Sequence, residues 1–142
     1  MRADCGGLHV VYLGLGSNMG DRRSLLLKAC EAIDRRVGHV QRCSSFIETE
    51  PWGFVSAHPF LNAVVCVQTD LSPHAVLRVT QSIERSLGRT QKSVDGSYHD
   101  RPIDIDILLY DDLVVDEPDL KIPHPLMQQR DFVMQPLNEI KD

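Results

Sequence analysis

His99-Asp100-Arg101-Pro102-Ile103-Asp104-Ile105-Asp106-Ile107-Leu108-Leu109-Tyr110 is the stretch on which the fold turns. From Pro102 to Tyr110 it reads as a strand, rich in β-branched and apolar residues and closed by the turn signal Asp111-Asp112. Pro102 suits the first position of a strand, where a missing N–H is tolerated. Side chains alternate between faces, so Ile103, Ile105, Ile107 and Leu109 are expected on one side and Asp104 and Asp106 on the other. Two carboxylates at that spacing stand roughly 7 Å apart at the backbone and can converge on one hard cation or flank two. A plain amphipathic strand with two solvated aspartates is the competing reading. The context argues against it. Asp is a poor strand former, and Arg101 stands beside the pair. Two carboxylates next to an arginine suit a polyphosphate carried in with Mg²⁺.

Working outward, the bulk properties are those of a folded globule. The chain has 142 residues, 42% hydrophobic and 25% charged, enough for a single domain spanning 1–142 with a sizeable core. A net charge of −5 disfavours a general nucleic-acid or anionic-membrane surface, so an anionic ligand must be met by a local basic cluster or a metal. No apolar run approaches a membrane span, and the first seven residues lack a signal peptide's apolar region. Cys5, Cys30, Cys43 and Cys66 show neither C-x-x-C nor zinc spacing. Reduced thiols in a cytoplasmic protein are expected, with Cys30 and Cys66 in the core.

Upstream, His9–Leu15 reads as a first strand and Gly16–Asp21 as a loop. Asp21 is placed to cap a helix running to about Arg36, which Gly38 stops. Gly14-x-Gly16 matches no phosphate-binding fingerprint and reads as a packing or turn device. Val40–Thr49 is expected as a second strand, followed by an irregular aromatic loop around Trp52 and Phe54. Phe60–Thr69 is a third strand with Asn62 polar among apolar neighbours. Ser72-Pro73 opens a second helix with the stripe Ala75, Val76, Val79, Ile83 and Leu87, ended by Gly88. Gln81 and Glu84 share a face of it. Residues 89–100 form a long polar loop of the kind that often serves as a lid. With its neighbours it carries Arg85, Arg89, Lys92, His99 and Arg101, read as a phosphate clamp. Leu113-Val114-Val115 is expected as a short strand in a hairpin with the central one. His124, between two prolines, and Arg130 stand within reach of a ligand.

A carboxylate pair, several arginines and no evident nucleophile suit phosphoryl-type transfer, in which the protein positions groups and neutralises charge. An aromatic loop with an amide suits a flat heterocycle. A ligand-binding regulatory module would not need both aspartates. A two-metal nuclease or phosphatase would ordinarily need further carboxylate or His ligands.

The chain resembles the 6-hydroxymethyl-7,8-dihydropterin pyrophosphokinase family. Gly16-Ser17-Asn18, Ser44-Ser45-x-x-x-Thr49, Phe60-Leu61-Asn62-Ala63, Gln81-x-x-Glu84-x-x-x-Gly88-Arg89, Arg101-Pro102-x-Asp104-x-Asp106, Pro123-His124-Pro125 and Arg130-x-Phe132 carry the resemblance. It implies an α+β fold with a ferredoxin-like βαββαβ core, mostly antiparallel, with helices packed on the sheet. It also implies transfer of pyrophosphate from ATP to the pterin's hydroxymethyl group, giving AMP, in folate biosynthesis. By the family's pattern Asp104 and Asp106 hold two Mg²⁺, and with Arg89 and Arg101 form the catalytic set. Gln81, Glu84, Arg89, Lys92, Arg101, Ile107, His124 and Arg130 surround ATP. Thr49, Glu50, Trp52, Phe60, Asn62 and Phe132 form the pterin pocket. The partners implied are these two small molecules alone, with a monomeric protein.

Overall fold

Strand β1, His9–Ser17, is the centre of the sheet, and a computed structural model describes the chain over residues 8–49, 59–88, 102–125 and 127–141. In chain order there follow α1 (Arg22–Arg36), β2 (His39–Cys43), β3 (Ile47–Thr49), β4 (Phe60–Thr69), α2 (Pro73–Ser86), β5 (Asp104–Tyr110), β6 (Val115–Glu117), β7 (Leu120–Ile122), a short 3₁₀ turn (Met127–Gln129) and α3 (Asp131–Ile140). β4 and β5 flank β1, and β2 and β3 lie end to end along the outer side of β4. Every pairing in this sheet is antiparallel. That order and the two crossover helices are the expected ferredoxin-like α+β arrangement. No described helix is long and apolar enough to cross a membrane.

The period-2 pattern of the strands builds two cores. Val11, Leu13 and Leu15 of β1, Ala63, Val65 and Val67 of β4, and Ile105 and Ile107 of β5 pack with Leu26, Ala29 and Ile33 of α1 and Val76 and Ile83 of α2. On the other face Tyr12, Val64, Cys66 and Leu108 meet Met127, Val133, Leu137 and Ile140. Each such aliphatic side chain contributes about 1.5–3 kcal/mol on burial.

Local chemistry sets the element ends. The Asp21 carboxylate accepts from Ser24 N at 3.1 Å and starts α1, and Ser72 Oγ accepts from Ala75 N at 3.2 Å and starts α2. Gly88 takes φ +105° beyond the end of α2, where a side chain would be strained. Gly38 ends α1 for a different reason. Its φ is not positive, but a Cβ there would lie 2.1 Å from Gln68 O and 2.9 Å from Thr69 Cα. Because both are backbone of a central strand, Gly38→Ala is expected to cost about 3 kcal/mol or more. In a thermal melt that is a fall in Tm of roughly 10 °C. A Tm within 2 °C of the parent would refute the contact.

Three expectations are corrected. The span Val40–Thr49 is two strands, because Ser44 turns inward between them: its Oγ accepts from Val64 N at 2.9 Å while its own N donates to Val64 O. Leu113-Val114-Val115 does not pair with β5. β6 begins at Val115 and pairs with β7 in a separate two-stranded sheet, and Val114 is exposed. Leu109 does not share the face of Ile103, Ile105 and Ile107. The register against β1 slips by one residue between Tyr12 and Leu13, leaving Leu108 as an insertion. Leu108 and Leu109 then join the α3 core, and Tyr110 returns to the α1/α2 side, its hydroxyl donating to Leu71 O at 2.6 Å. Of the cysteines expected inside, Cys66 is fully buried and Cys30 half-buried.

Candidate active site

Three adjacent strands bring the candidate residues together at one end of the face of the sheet that carries α3. Gly16 of β1 stands opposite Asn62 of β4 on one side and Asp104 of β5 on the other. Gly14 stands between Val64 and Asp106. Residues opposite one another in an antiparallel ladder share a face. Asn62, Asp104 and Asp106 therefore project to the same side, across a floor of two glycines. With strands about 4.8 Å apart, that floor is some 10 Å wide. A Cβ on Gly16 would sit 3.1 Å from Asn62 Oδ1 and 3.4 Å from the Phe60 ring, and one on Gly14 would touch Leu108 at 3.4 Å. Of the two readings of Gly14-x-Gly16, packing or turn, packing is the one that holds, since both lie inside β1 in close contact with neighbouring side chains. The period-2 spacing of Gly14 and Gly16 within a strand was the available signal.

On the β4 side, Asn62 and Phe60 are buried. Asn62 Nδ2 donates to Thr49 Oγ1 at 2.6 Å, which fixes the amide with its oxygen over Gly16. β3 holds Thr49 in place by pairing with β4, and Arg22 of α1 braces that edge through Glu48 at 2.7 Å and Pro59 O at 2.9 Å.

On the β5 side the electrostatics are adverse in the ligand-free chain. Asp104 and Asp106 are half-buried by surface, but protein atoms crowd the Asp106 carboxyl. Burial pushes that carboxyl well above the usual range. The charge and hydrogen bond of Asp104 and the charge of Glu84 push the same way, and Arg130 pulls against them. Glu84 is itself buried near the end of α2, and its Oε2 accepts from Ile105 N at 2.7 Å. It thus anchors the main chain between the two aspartates. His124 is docked by its own N–H donating to Leu108 O at 3.0 Å. Burial and Arg130 lower its pKa, and Asp104 opposes them. His124, Arg130, Glu84 and the aspartates are thereby neighbours in one polar end of the molecule.

Of the predicted residues, then, Thr49, Phe60, Asn62, Glu84, Asp104, Asp106, His124 and Arg130 gather at this end. Gln81 lies half-buried one turn before Glu84. Ile107 is different: its side chain is buried in the α1/α2 core, so only its main chain is available to a nucleotide. Arg89, Lys92, Arg101, Glu50 and Trp52, and the side chain of Phe132, lie outside the described residues. Sequence reasoning missed the glycine floor and the anchoring of Ile105 by Glu84.

The donor set of hard oxygens fits Mg²⁺. Two mutually repelling carboxyls, one titrating high, are what a divalent cation would relieve. Among the described residues one group of three ligand types also converges, His74, Glu117 and Asp119, with ligand atoms within 4.8 Å. It is a surface ion-pair cluster, ten residues along α2 from Glu84 and so about 15 Å away.

A carboxylate pair on one strand shares a face with a braced amide two strands away, and hard oxygens beside Arg130 are the donor chemistry that suits phosphoryl transfer. A sequence profile of the 7,8-dihydro-6-hydroxymethylpterin-pyrophosphokinase (HPPK) family matches residues 12–142, and the chain belongs to that family. Family membership makes it a pyrophosphokinase, an ATP-dependent transferase of the folate pathway. It is 59% identical over 132 residues to the 2-amino-4-hydroxy-6-hydroxymethyldihydropteridine pyrophosphokinase of Porphyromonas gingivalis, covering 92% of this chain and 90% of that one. The Aquifex aeolicus protein of the same name is 43% identical, with 92% and 79% covered. In fold it is similar to wild-type HPPK-DHPS of Plasmodium falciparum, with a TM-score of 0.72 and 16% identity over 94% of this chain. It spans 41% of that longer chain.

Proposed function

We propose that the chain transfers the β,γ-pyrophosphoryl group of ATP to the hydroxymethyl oxygen of 6-hydroxymethyl-7,8-dihydropterin, with Asp104 and Asp106 holding two Mg²⁺. The observation that supports this is the strand register, in which Gly14 and Gly16 stand between the carboxylate pair and the Asn62–Thr49 amide on one face of the sheet. The hydroxymethyl oxygen bonds to the β-phosphorus as its O–H bond breaks and the proton passes to solvent. The bond from that phosphorus to the α,β-bridging oxygen breaks, and its electron pair leaves with AMP. The bound Mg²⁺ ions supply neutralisation of the triphosphate's charge. The chain's own residues do the rest. Asn62, oriented by Thr49, reads the polar edge of the pterin, and Phe60, Trp52, Glu50 and Phe132 complete its slot. Glu84 holds the β5 main chain so that both aspartates face the phosphates. Gln81, His124, Arg130, Lys92 and the Ile107 main chain surround the nucleotide. Arg89 and Arg101 meet the charge that builds on the phosphates. The protein acts as one catalytic domain, a monomer in the cytoplasm.

The test is a product assay with ATP, MgCl₂ and the pterin, read by mass spectrometry. AMP and pterin diphosphate in equal amounts, lost on adding EDTA, are the expected result. ADP with a pterin monophosphate would mean attack at the γ-phosphorus instead. Binding without turnover would make the chain a ligand-binding module.

A further inference from the structure

The first turn of α1 carries two arginines at the unfavourable end of a helix. Arg22 and Arg23 open it without an acidic residue beside them, and the partial positive charge of a helix N-terminus disfavours cations there. Both are matched instead by the strand at the edge of the pocket. The Arg23 guanidinium lies 5.1 Å from the centre of the ring of Phe46, the residue just before β3. Arg22 divides its fork between two partners. Its Nη2 pairs with Glu48 Oε2 at 2.7 Å, and its Nη1 donates to Pro59 O at 2.9 Å.

Those partners sit next to pocket residues. Glu48 precedes Thr49 and Pro59 precedes Phe60, and Thr49 and Phe60 form the last rung of the β3–β4 ladder. Pro59 has no N–H with which to extend that ladder, and its carbonyl is taken by Arg22. Glu48 stands opposite Leu61, which packs on the core under α1, so Glu48 lies on the helix side of the sheet. Thr49, Phe60 and Asn62 lie on the other side, where Asn62 Nδ2 donates to Thr49 Oγ1. Arg22 therefore grips the pocket from behind. It is tied to the glycine floor as well, since Asn18, Met19 and Gly20 alone separate the end of β1 from the Asp21 cap of α1.

We propose that Arg22 is a positioning residue for the pterin. From the far side of the sheet it locks the last rung of β3 and β4, and so holds Thr49 and Phe60 where Asn62 can present its amide oxygen to the ring. This rests on the reading of that pocket as the pterin site. The Arg22–Glu48 pair is partly exposed and adds little to global stability. Its effect is local, because β3 is only three residues long and pairs with β4 alone.

The test uses the full chain and two readouts. In Arg22→Ala, amide hydrogen exchange over β3 in the ligand-free protein should quicken by about 10-fold, with the centre of β4 unchanged. The KM for the pterin should rise by about 10-fold or more, with kcat and the KM for ATP held within about twofold. Arg22→Lys keeps the charge but not the fork, so it should restore only part of the loss. Arg36→Ala is the control: Arg36 closes the other end of α1 on Ser82 Oγ at 2.7 Å, and its loss should leave the pterin KM unchanged. Equal losses for ATP and pterin, or faster exchange over β3 with an unchanged pterin KM, would reduce Arg22 to a structural contact. Unchanged exchange would overturn the brace itself. If Arg22→Ala misfolds, Glu48→Gln removes half of the grip and should raise the pterin KM by a smaller factor. A wild type that turns nothing over would overturn the proposed reaction, and pterin dissociation constants from titration calorimetry would then decide on Arg22 by themselves.

Discussion

Asp104→Ala and Asp106→Ala are each expected to lower turnover by about 10³-fold or more, since on the proposed mechanism each removes a carboxylate that would hold a metal ion against the charge of the transferring group. The fold should survive, because neither side chain belongs to an apolar core. The adverse electrostatics add a second readout. Asp106 titrates above its unfolded value of 3.8 in the folded chain, through burial, Asp104 and Glu84. Between those two pKa values the folded state holds a proton that the unfolded state has released. Stability therefore falls as pH rises from 3.8 through the folded value, and levels off above it. Asp106→Asn cannot ionise, so the ligand-free variant should be more stable than wild type at pH 8 while nearly inactive. Melts across pH with and without MgCl₂ check this. Mg²⁺ should raise the wild-type Tm and leave that of the Asn variant almost unmoved. A folded variant with full turnover would remove the pair from the metal role, and equal Tm values at pH 8 would remove the repulsion.

Asn62→Leu is expected to act on the other substrate. Asn62 is buried and already holds Thr49 Oγ1 at 2.6 Å, so its oxygen is the half left for a ligand. A site built to hydrogen-bond a polar edge loses about 10²–10⁴-fold in kcat/KM when the partner is removed, because both sides are left desolvated and unmatched. The loss should appear in the pterin's KM and dissociation constant, with ATP affinity unchanged within twofold. Thr49→Val should reproduce part of it by freeing the amide to rotate. Equal losses for ATP and pterin in isothermal titration would mean that Asn62 supports the fold and not the pocket.

Much of this site was legible because β5 states its chemistry in one period: apolar residues on one face and two carboxylates on the other. The caps at Asp21 and Ser72 and the stop at Gly88 were equally plain, since each rests on chemistry local to a few residues. What escaped depends on partners distant in sequence. Ser44 breaks the edge strand because Val64 offers it a donor and an acceptor. The slip at Leu108 arises from the match with β1, which no window around Leu108 contains. Gly14 and Gly16 read as a packing or a turn device, and only β4 and β5 on either side decide for packing. Gly38 signalled the helix end correctly but for the wrong reason, a backbone passing close by instead of a left-handed φ.

The central position of β1 has a consequence for how the protein is made. Val11 pairs with Tyr110, and Gly16 with Asp104, across most of a hundred residues. At a synthesis rate of about 5–20 residues per second, the first strand waits roughly 5–20 seconds for the strand that completes its ladder. During that wait β1 is an apolar strand with one side unpaired, an aggregation hazard. No fragment ending before β5 can hold the carboxylate pair opposite its glycines. The glycine floor with its flanking carboxylates is therefore among the last features to form, and folding should be slow for a chain of this length.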